Sequence, residues 1–288
     1  MRVLITGDKG QLGNELKRSQ PAGVEIVSCD LPETDVTDPA QVRRIVGEAK
    51  PGIIINAAAY TAVDRAEDER GAAFAVNAEA VGRLIEAARP VGARFLHVST
   101  DFIFDGAKGF PYRPEDSAQP LGVYGESKAA GERVVLEGYP ERSFIVRTAW
   151  LYSAHGQNFV KTMLRLFGER DALGVVADQI GTPTWACQLA RFLWRVALSP
   201  DLSPGILHFT DLGVASWYDF AVAIEEESRA WRGGKEIALR PLRTDEYPTK
   251  AVRPSYSVLE KRFPGPLADF PSLHWREALR RMLKELFS

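Results

Sequence analysis

Short apolar runs and helical stripes alternate along the first half of this chain. Val3-Leu4-Ile5 is an unbroken apolar run ending at Gly7-Asp8-Lys9-Gly10-Gln11-Leu12-Gly13, and helix-forming Gln11 to Arg18 follows. The pattern predicts a buried strand, a glycine turn and a helix. A second, alternating strand from Val24 to Cys29 ends in Asp30. Asp38-Pro39 is a helix start with proline at the first helical position. Val42, Ile45, Val46 and Ala49 then share one face until Pro51-Gly52 stops the helix. Ile53-Ile54-Ile55 reads as a central strand covered on both faces, opening into Asn56-Ala57-Ala58-Ala59-Tyr60-Thr61. A long helix is expected from Gly71 to Ala88, and a strand at Phe95-Leu96-His97-Val98 delivers Ser99-Thr100-Asp101. Glycines and prolines from Asp105 to Pro120 mark a long loop. A helix over Tyr124 to Glu137 and a strand over Phe144 to Thr148 complete this half.

Strand and helix in alternation with short connections imply an α/β fold with a doubly wound parallel sheet, Rossmann-like. Beyond Trp150 the rhythm changes. Strands shorten (Val175-Val176, Ile206 to Thr210), helices dominate, and prolines at 183, 200, 204, 241, 248 and 254 punctuate the chain. Ser216 and Asp219 form a capping box before Phe220, Val222 and Ile224. The last helix carries Trp275, Leu279, Met282, Leu283 and Leu286 on one stripe, expected to be core or a partner contact.

Composition narrows the partners. With 36 basic against 38 acidic residues the net charge is −2, so neither nucleic acid nor an anionic membrane is expected. Two cysteines, Cys29 and Cys187, are too few for a disulfide framework, and four histidines without metal spacing predict no metal site. A core strand that meets glycine by position 7 leaves no room for a signal segment, and no apolar run could span a bilayer. The cytoplasm is the expected compartment.

Two stretches carry chemistry. A glycine turn between strand and helix aims unpaired helix amides, with the positive end of the helix dipole, at whatever sits in the turn. That is an anion site suited to a pyrophosphate, although the spacing is G-x-x-G-x-x-G, not the commoner G-x-G-x-x-G. Asp30 lies where such a unit presents a carboxylate to an adenosine ribose. The expected organisation is a dinucleotide-binding domain over 1–150 and a smaller mixed α/β substrate lobe over 151–288, parts of it returning to pack on the first. In the second stretch, Tyr124 and Lys128 stand four residues apart on one helical face. A phenol titrating near pH 10 becomes a usable acid beside a cation. Thr100, at the end of a strand, adds a hydroxyl.

These blocks resemble the extended short-chain dehydrogenase/reductase superfamily, and more narrowly the dTDP-4-dehydrorhamnose reductases. Besides the glycine turn and Tyr124 with Lys128, the resemblance runs through Asn56 to Asp64, Ser99 to Phe104, Arg147 to Tyr152, Asn158-Phe159, Gln179 to Thr184 and Arg253-Pro254. It implies reduction of a nucleotide-sugar C4 ketone by NADPH or NADH. Tyr124 would protonate the C4 oxygen, Lys128 would lower its pKa and hold the nicotinamide ribose, and Thr100 would hydrogen-bond the carbonyl. Gly7, Gly10, Gln11 and Leu12 would line the pyrophosphate. Asp30, Asp35 and Val36 would meet the adenosine end, and Ala59, Tyr60 and Thr61 would run beside the cofactor. Asp101, Trp150 and Arg253 complete the implied substrate set, with Trp150 on the sugar and Arg253 on the diphosphate. Asp30 suits a free 2′-hydroxyl whereas Lys9 would attract a 2′-phosphate, so the choice of nucleotide stays open.

Some relatives hold Mg²⁺ with three glutamates at a dimer interface. Here Glu15 and Glu285 match but the third place is Cys187, a poor magnesium ligand, so no metal is expected. A homodimer remains open. A nucleotide-sugar dehydratase needs an acidic pair after the threonine, and Phe102 follows Asp101. Another nucleotide-sugar reductase, an epimerase, or a non-catalytic NAD(P)-binding regulatory subunit are the alternatives.

Overall fold

The computed structural model describes all residues, Met1–Ser288. The first half runs β1 (Arg2–Thr6), α1 (Gln11–Arg18), β2 (Glu25–Cys29), α2 (Pro39–Ala49), β3 (Ile53–Asn56), α3 (Val63–Ala66), α4 (Arg70–Phe74), α5 (Ala80–Val91), β4 (Arg94–Thr100), α6 (Val123–Gly138) and β5 (Ser143–Thr148). The remainder runs β6 (Leu151–Tyr152), α7 (Phe159–Glu169), β7 (Ala172–Val176), β8 (Ile180–Gly181), β9 (Thr184–Trp185), α8 (Ala186–Leu198), β10 (Gly205–His208), β11 (Ala215–Ser216), α9 (Trp217–Ser228), β12 (Ala238–Leu242) and α10 (Trp275–Phe287).

Six strands form one parallel sheet in the order β2-β1-β3-β4-β5-β10. The unbroken apolar runs follow from this architecture, because both faces are covered. Val3, Ile5, Ile53, Ile55, Leu96, Phe144 and Val146 face α1 and α8. Leu4, Ile54, Phe95 and Ile145 face α2, α5 and α6. Each such side chain contributes about 1.5–3 kcal/mol when fully buried. The strand order reverses between β1 and β3, and a crevice opens outside the carboxyl ends at such a switch point.

A separate core joins α7, α9 and α10 around Met163, Phe167, Phe220 and Trp275. The stripe on α10 is thus core: Leu279, Met282 and Leu283 are fully buried, with Leu286 packed at the margin. Local signals hold where capping sets them. Asp38 accepts from the amides of Ala40 and Gln41 with Pro39 in the first turn, and Ser216 with Asp219 forms the reciprocal box. The helix expected over 71–88 runs from Arg70 to Val91 but contains a π-turn, Ala75–Glu79. No helix is long and apolar enough to cross a membrane.

Candidate active site

The turn after β1 is built for close approach. Gly7 takes φ +70°, and a Cβ there would fall 2.7–2.8 Å from backbone atoms of Ala57 and Ala58 at the exit of β3. Gly10 caps α1 without any side-chain hydrogen bond, and no acid occupies the first turn of that helix. An N-terminus so left open fits a pyrophosphate. Leu12 is buried and has only backbone to offer, while Gln11 accepts from Asn158 Nδ2 at 2.9 Å. Asp30 accepts from the amides of Lys9 (2.9 Å) and Leu31 (2.8 Å), which puts its carboxylate against the turn. Lys9 donates to the Leu31 carbonyl at 2.7 Å and to Glu33 at 2.5 Å. Its charge is therefore already answered. Asp35 accepts from the amide and hydroxyl of Thr37, and Val36 is half-buried behind it. Ala59 and Tyr60 are half-buried and Thr61 exposed along the exit of β3.

Sheet register brings the reacting groups to the same edge. Thr100 ends β4 opposite Thr148 of β5, and Tyr124 lies in the first turn of α6. The Thr100 hydroxyl lies close enough to the Tyr124 phenol to act on its titration. Phe102 packs edge-on against the Tyr124 ring, centroids 5.6 Å apart at 70°. The Thr100 hydroxyl donates to Asp101 at 3.1 Å. Burial pushes the Asp101 carboxyl up to about 6, against hydrogen bonds that favour the carboxylate. The cleft beside Tyr124 is lined by Val63, Phe102, Leu121, Val252 and Pro254.

Lys128 is fully buried one turn further along α6. Its ammonium donates to the Val98 carbonyl at 2.7 Å and stands 3.5 Å from His97 Nε2. Burial lowers its pKa to about 8, while the charge of Glu132 opposes the shift. The Tyr124 hydroxyl is pushed up to about 12 by burial, with the Thr100 hydroxyl opposing and the nearby Asp101 charge adding. Helical spacing suggests that the ammonium assists the phenol directly, but here it turns toward β4 instead. The phenol accordingly remains a protonated acid.

Trp150 and Arg253 depart from expectation. Trp150 holds the left-handed region at φ +47°, and its indole lies flat on Trp217, centroids 3.5 Å apart and 4° from parallel. On the other side, a Cβ at Gly181 would come within 2.6 Å of the ring. The Trp217 stack and the closeness of Gly181 leave little of the indole's faces open. Arg253, expected on a diphosphate, closes a two-pronged pair with Asp64 at 2.8 and 3.1 Å and also donates to the Ala251 carbonyl. Its fork is filled by a carboxylate of this same chain.

Glu15, His155 and Glu285 converge, with their nearest ligand atoms within 4.8 Å of one another. The Arg18 guanidinium bonds Glu285 and His155 and lies 3.8 Å from Glu15. The Arg18 guanidinium thus answers both acids from within the cluster.

Sequence reasoning passed over Asn77 and His97. Asn77 sits in the π-turn, accepts from the amide of Tyr60 at 2.9 Å, and donates to the Tyr60 carbonyl and to Ser127 of α6. It joins the cofactor-side loop to the helix bearing Tyr124. An asparagine within a helical stripe reads as an ordinary polar position, so periodicity carried no signal for it.

A family model described as "RmlD substrate binding domain" matches residues 1–288. A dTDP-4-dehydrorhamnose reductase from Aggregatibacter actinomycetemcomitans is 43% identical over 288 residues, 98% of each chain. Among solved structures, a dTDP-4-dehydrorhamnose reductase from Clostridium acetobutylicum superposes with a TM-score of 0.93 at 39% identity, covering 100% of both chains. The enzyme of that name from Bacillus anthracis, solved in complex with NADP, superposes with a TM-score of 0.91 at 38% identity over 99% of each chain. With the glycine turn, Thr100, Tyr124 and Lys128 in one full-length match, the chain belongs to the dTDP-4-dehydrorhamnose reductase family.

Proposed function

We propose that this chain reduces the C4 ketone of dTDP-4-dehydro-L-rhamnose to the alcohol, giving dTDP-L-rhamnose, with NADPH or NADH as reductant. The observation that carries the reading is the convergence of Tyr124 and Thr100 at the carboxyl edge of the sheet, on the side where the uncapped start of α1 lies. The dinucleotide, when bound, would supply the hydride that C4 receives. Tyr124 supplies the proton: a phenol held near 12 stays protonated at neutral pH and gives its proton to an oxygen that becomes alkoxide-like. Thr100 donates a hydrogen bond to the same oxygen and steadies the developing charge. Its hydroxyl must then turn from Asp101, which is easier when that buried carboxyl is protonated.

Gly7, Gly10, Gln11 and Leu12 would hold the pyrophosphate, Asp30, Asp35 and Val36 the adenosine end, and Ala59, Tyr60 and Thr61 the length of the cofactor. The Asp30 carboxylate against the turn, with Lys9 tied to Glu33, supports acceptance of a free 2′-hydroxyl. Residues 1–150 would carry the dinucleotide. Residues 151–288 would carry the sugar nucleotide, with α8 and β10 returning to the first sheet. We place the reaction in the cytoplasm and leave room for a homodimer.

The test is oxidation of NADPH and of NADH, each followed on addition of dTDP-4-dehydro-L-rhamnose. Turnover with at least one nucleotide is expected. No oxidation with either, alongside interconversion of a UDP-hexose, would favour an epimerase instead.

A further inference from the structure

A polar chain crosses the sheet beneath the cleft. The Thr6 hydroxyl donates to Asn56 Oδ1 at 2.6 Å, Asn56 Nδ2 lies 3.1 Å from His97 Nδ1, and His97 Nε2 stands 3.5 Å from Lys128 Nζ. Sheet order creates it: Thr6 of β1 pairs with Asn56 of β3, and Asn56 with His97 of β4. All four residues are 2% exposed or less. One end is the residue before the Gly7 turn, and the other is the lysine of α6. A Cβ on Gly131 would lie 3.5 Å from His97 Nε2, so α6 comes close enough for Lys128 to reach the ring. Most other buried positions on these strands are apolar, from Val3 to Ile5 and from Ile53 to Ile55, the exceptions being Ser99 and Thr100 at the end of β4. Polar groups cost free energy in such a place unless each finds its partner.

The donor count gives the chain a direction. With Oδ1 taken by Thr6, Asn56 turns its amide nitrogen to His97, so Nδ1 accepts and the imidazole proton sits on Nε2, facing Lys128. That arrangement favours an uncharged amine. A charged lysine selects the reverse, with the Asn56 amide turned over: Nδ1–H donates to Oδ1 and the Nε2 lone pair accepts from the ammonium, so the ring supports the charged lysine in this form. Burial keeps the imidazole itself neutral, far below its ordinary range.

We propose that His97 is a positioning residue for Lys128, and that through Asn56 and Thr6 it couples the charge of the lysine to the turn at the end of β1. The proposal rests on Lys128 serving the reduction described above. Other groups set against the lysine are Glu132 of its own helix, the Val98 carbonyl of β4, and Arg147 of β5 through its 2.8 Å pair with Glu132. Substitution at position 97 leaves these in place.

The experiment compares wild type, His97→Leu and His97→Gln by kcat and cofactor KM across pH, with thermal stability in parallel. His97→Leu removes the acceptor of the ammonium, so the alkaline limb should move to lower pH by about one unit, with cofactor KM raised. His97→Gln keeps a polar group at that place and should recover most of the wild-type profile. Superimposable profiles for all three, even with lowered melting temperatures, would make His97 a filler and overturn the proposal. ¹⁵N NMR of the His97 ring in wild type and Lys128→Met needs neither turnover nor a folded His97→Leu. A change in which ring nitrogen carries the proton is expected, and identical ring shifts would overturn the proposal without touching the reductase assignment.

Discussion

In the proposed reduction Tyr124 is the proton donor, and its surroundings set what it can do. Burial holds its hydroxyl near 12, so the phenol does not ionise at neutral pH and acts only by donating. Tyr124→Phe should therefore bind cofactor as wild type does, by fluorescence titration, while kcat falls about a hundredfold or more. A second buried acid gives a stability prediction. Asp211 accepts from the Trp185 amide with one oxygen, and the other has no partner. Burial pushes its carboxyl up to about 7. A raised folded-state value favours the protonated form, so its contribution is complete below about pH 4 and is lost as pH rises to about 7. Asp211→Asn keeps the amide contact and cannot ionise. The variant should gain on wild type by about 1–3 kcal/mol between pH 5 and pH 8, read from urea unfolding at each pH. At this scale, the Tyr124 and Lys128 spacing was legible because a four-residue interval has one meaning on a helix. His97 was not, because a histidine inside an apolar strand shows nothing of the two side chains that neighbouring elements bring to it.

Elements with local signals were the most legible. The Pro39 start, the Ser216 box and the unbroken isoleucine strand were visible because capping and two-sided burial act on neighbours in sequence. The π-turn was not, since the apolar stripe continues on both sides of it. There Asn77 makes three hydrogen bonds, two to Tyr60 and one to Ser127, and a Cβ at Gly131 would fall 2.1 Å from the Asn77 carbonyl oxygen. The turn is thus a joint between the loop after β3 and α6. Asn77→Ala leaves buried partners unmatched and should cost about 1–3 kcal/mol by denaturant unfolding. Cofactor affinity should weaken in parallel as the 57–61 segment loses its anchor. Unchanged affinity with reduced stability would confine Asn77 to a scaffold role.

Across the whole molecule, the parallel sheet was legible from alternation alone, whereas long-range pairings were not. The Asp64 to Arg253 pair joins residues 189 apart in the chain, and nothing local marks it. Ala251 also donates to Asp64 at 3.0 Å, and Ser255 to the Gly106 carbonyl, so the 251–255 segment is strapped across the rim of the Tyr124 cleft. If the strap shapes the substrate site, Asp64→Asn and Arg253→Ala should raise the nucleotide-sugar KM alike, on the order of tenfold (about 1.4 kcal/mol). The double variant should be no worse than either single one. A lowered KM in Asp64→Asn would instead mean that releasing Arg253 lets it reach the diphosphate. All of this depends on one event, delivery of hydride to C4 in a cleft where Tyr124 supplies the proton. Its most direct measurement is the fate of deuterium when the enzyme turns over dTDP-4-dehydro-L-rhamnose with a nicotinamide nucleotide deuterated at the transferring position. One deuterium at C4 of dTDP-L-rhamnose, with none from solvent D₂O at that carbon, is the expected result. Deuterium left on the nucleotide, or C4 labelled from solvent, would contradict it.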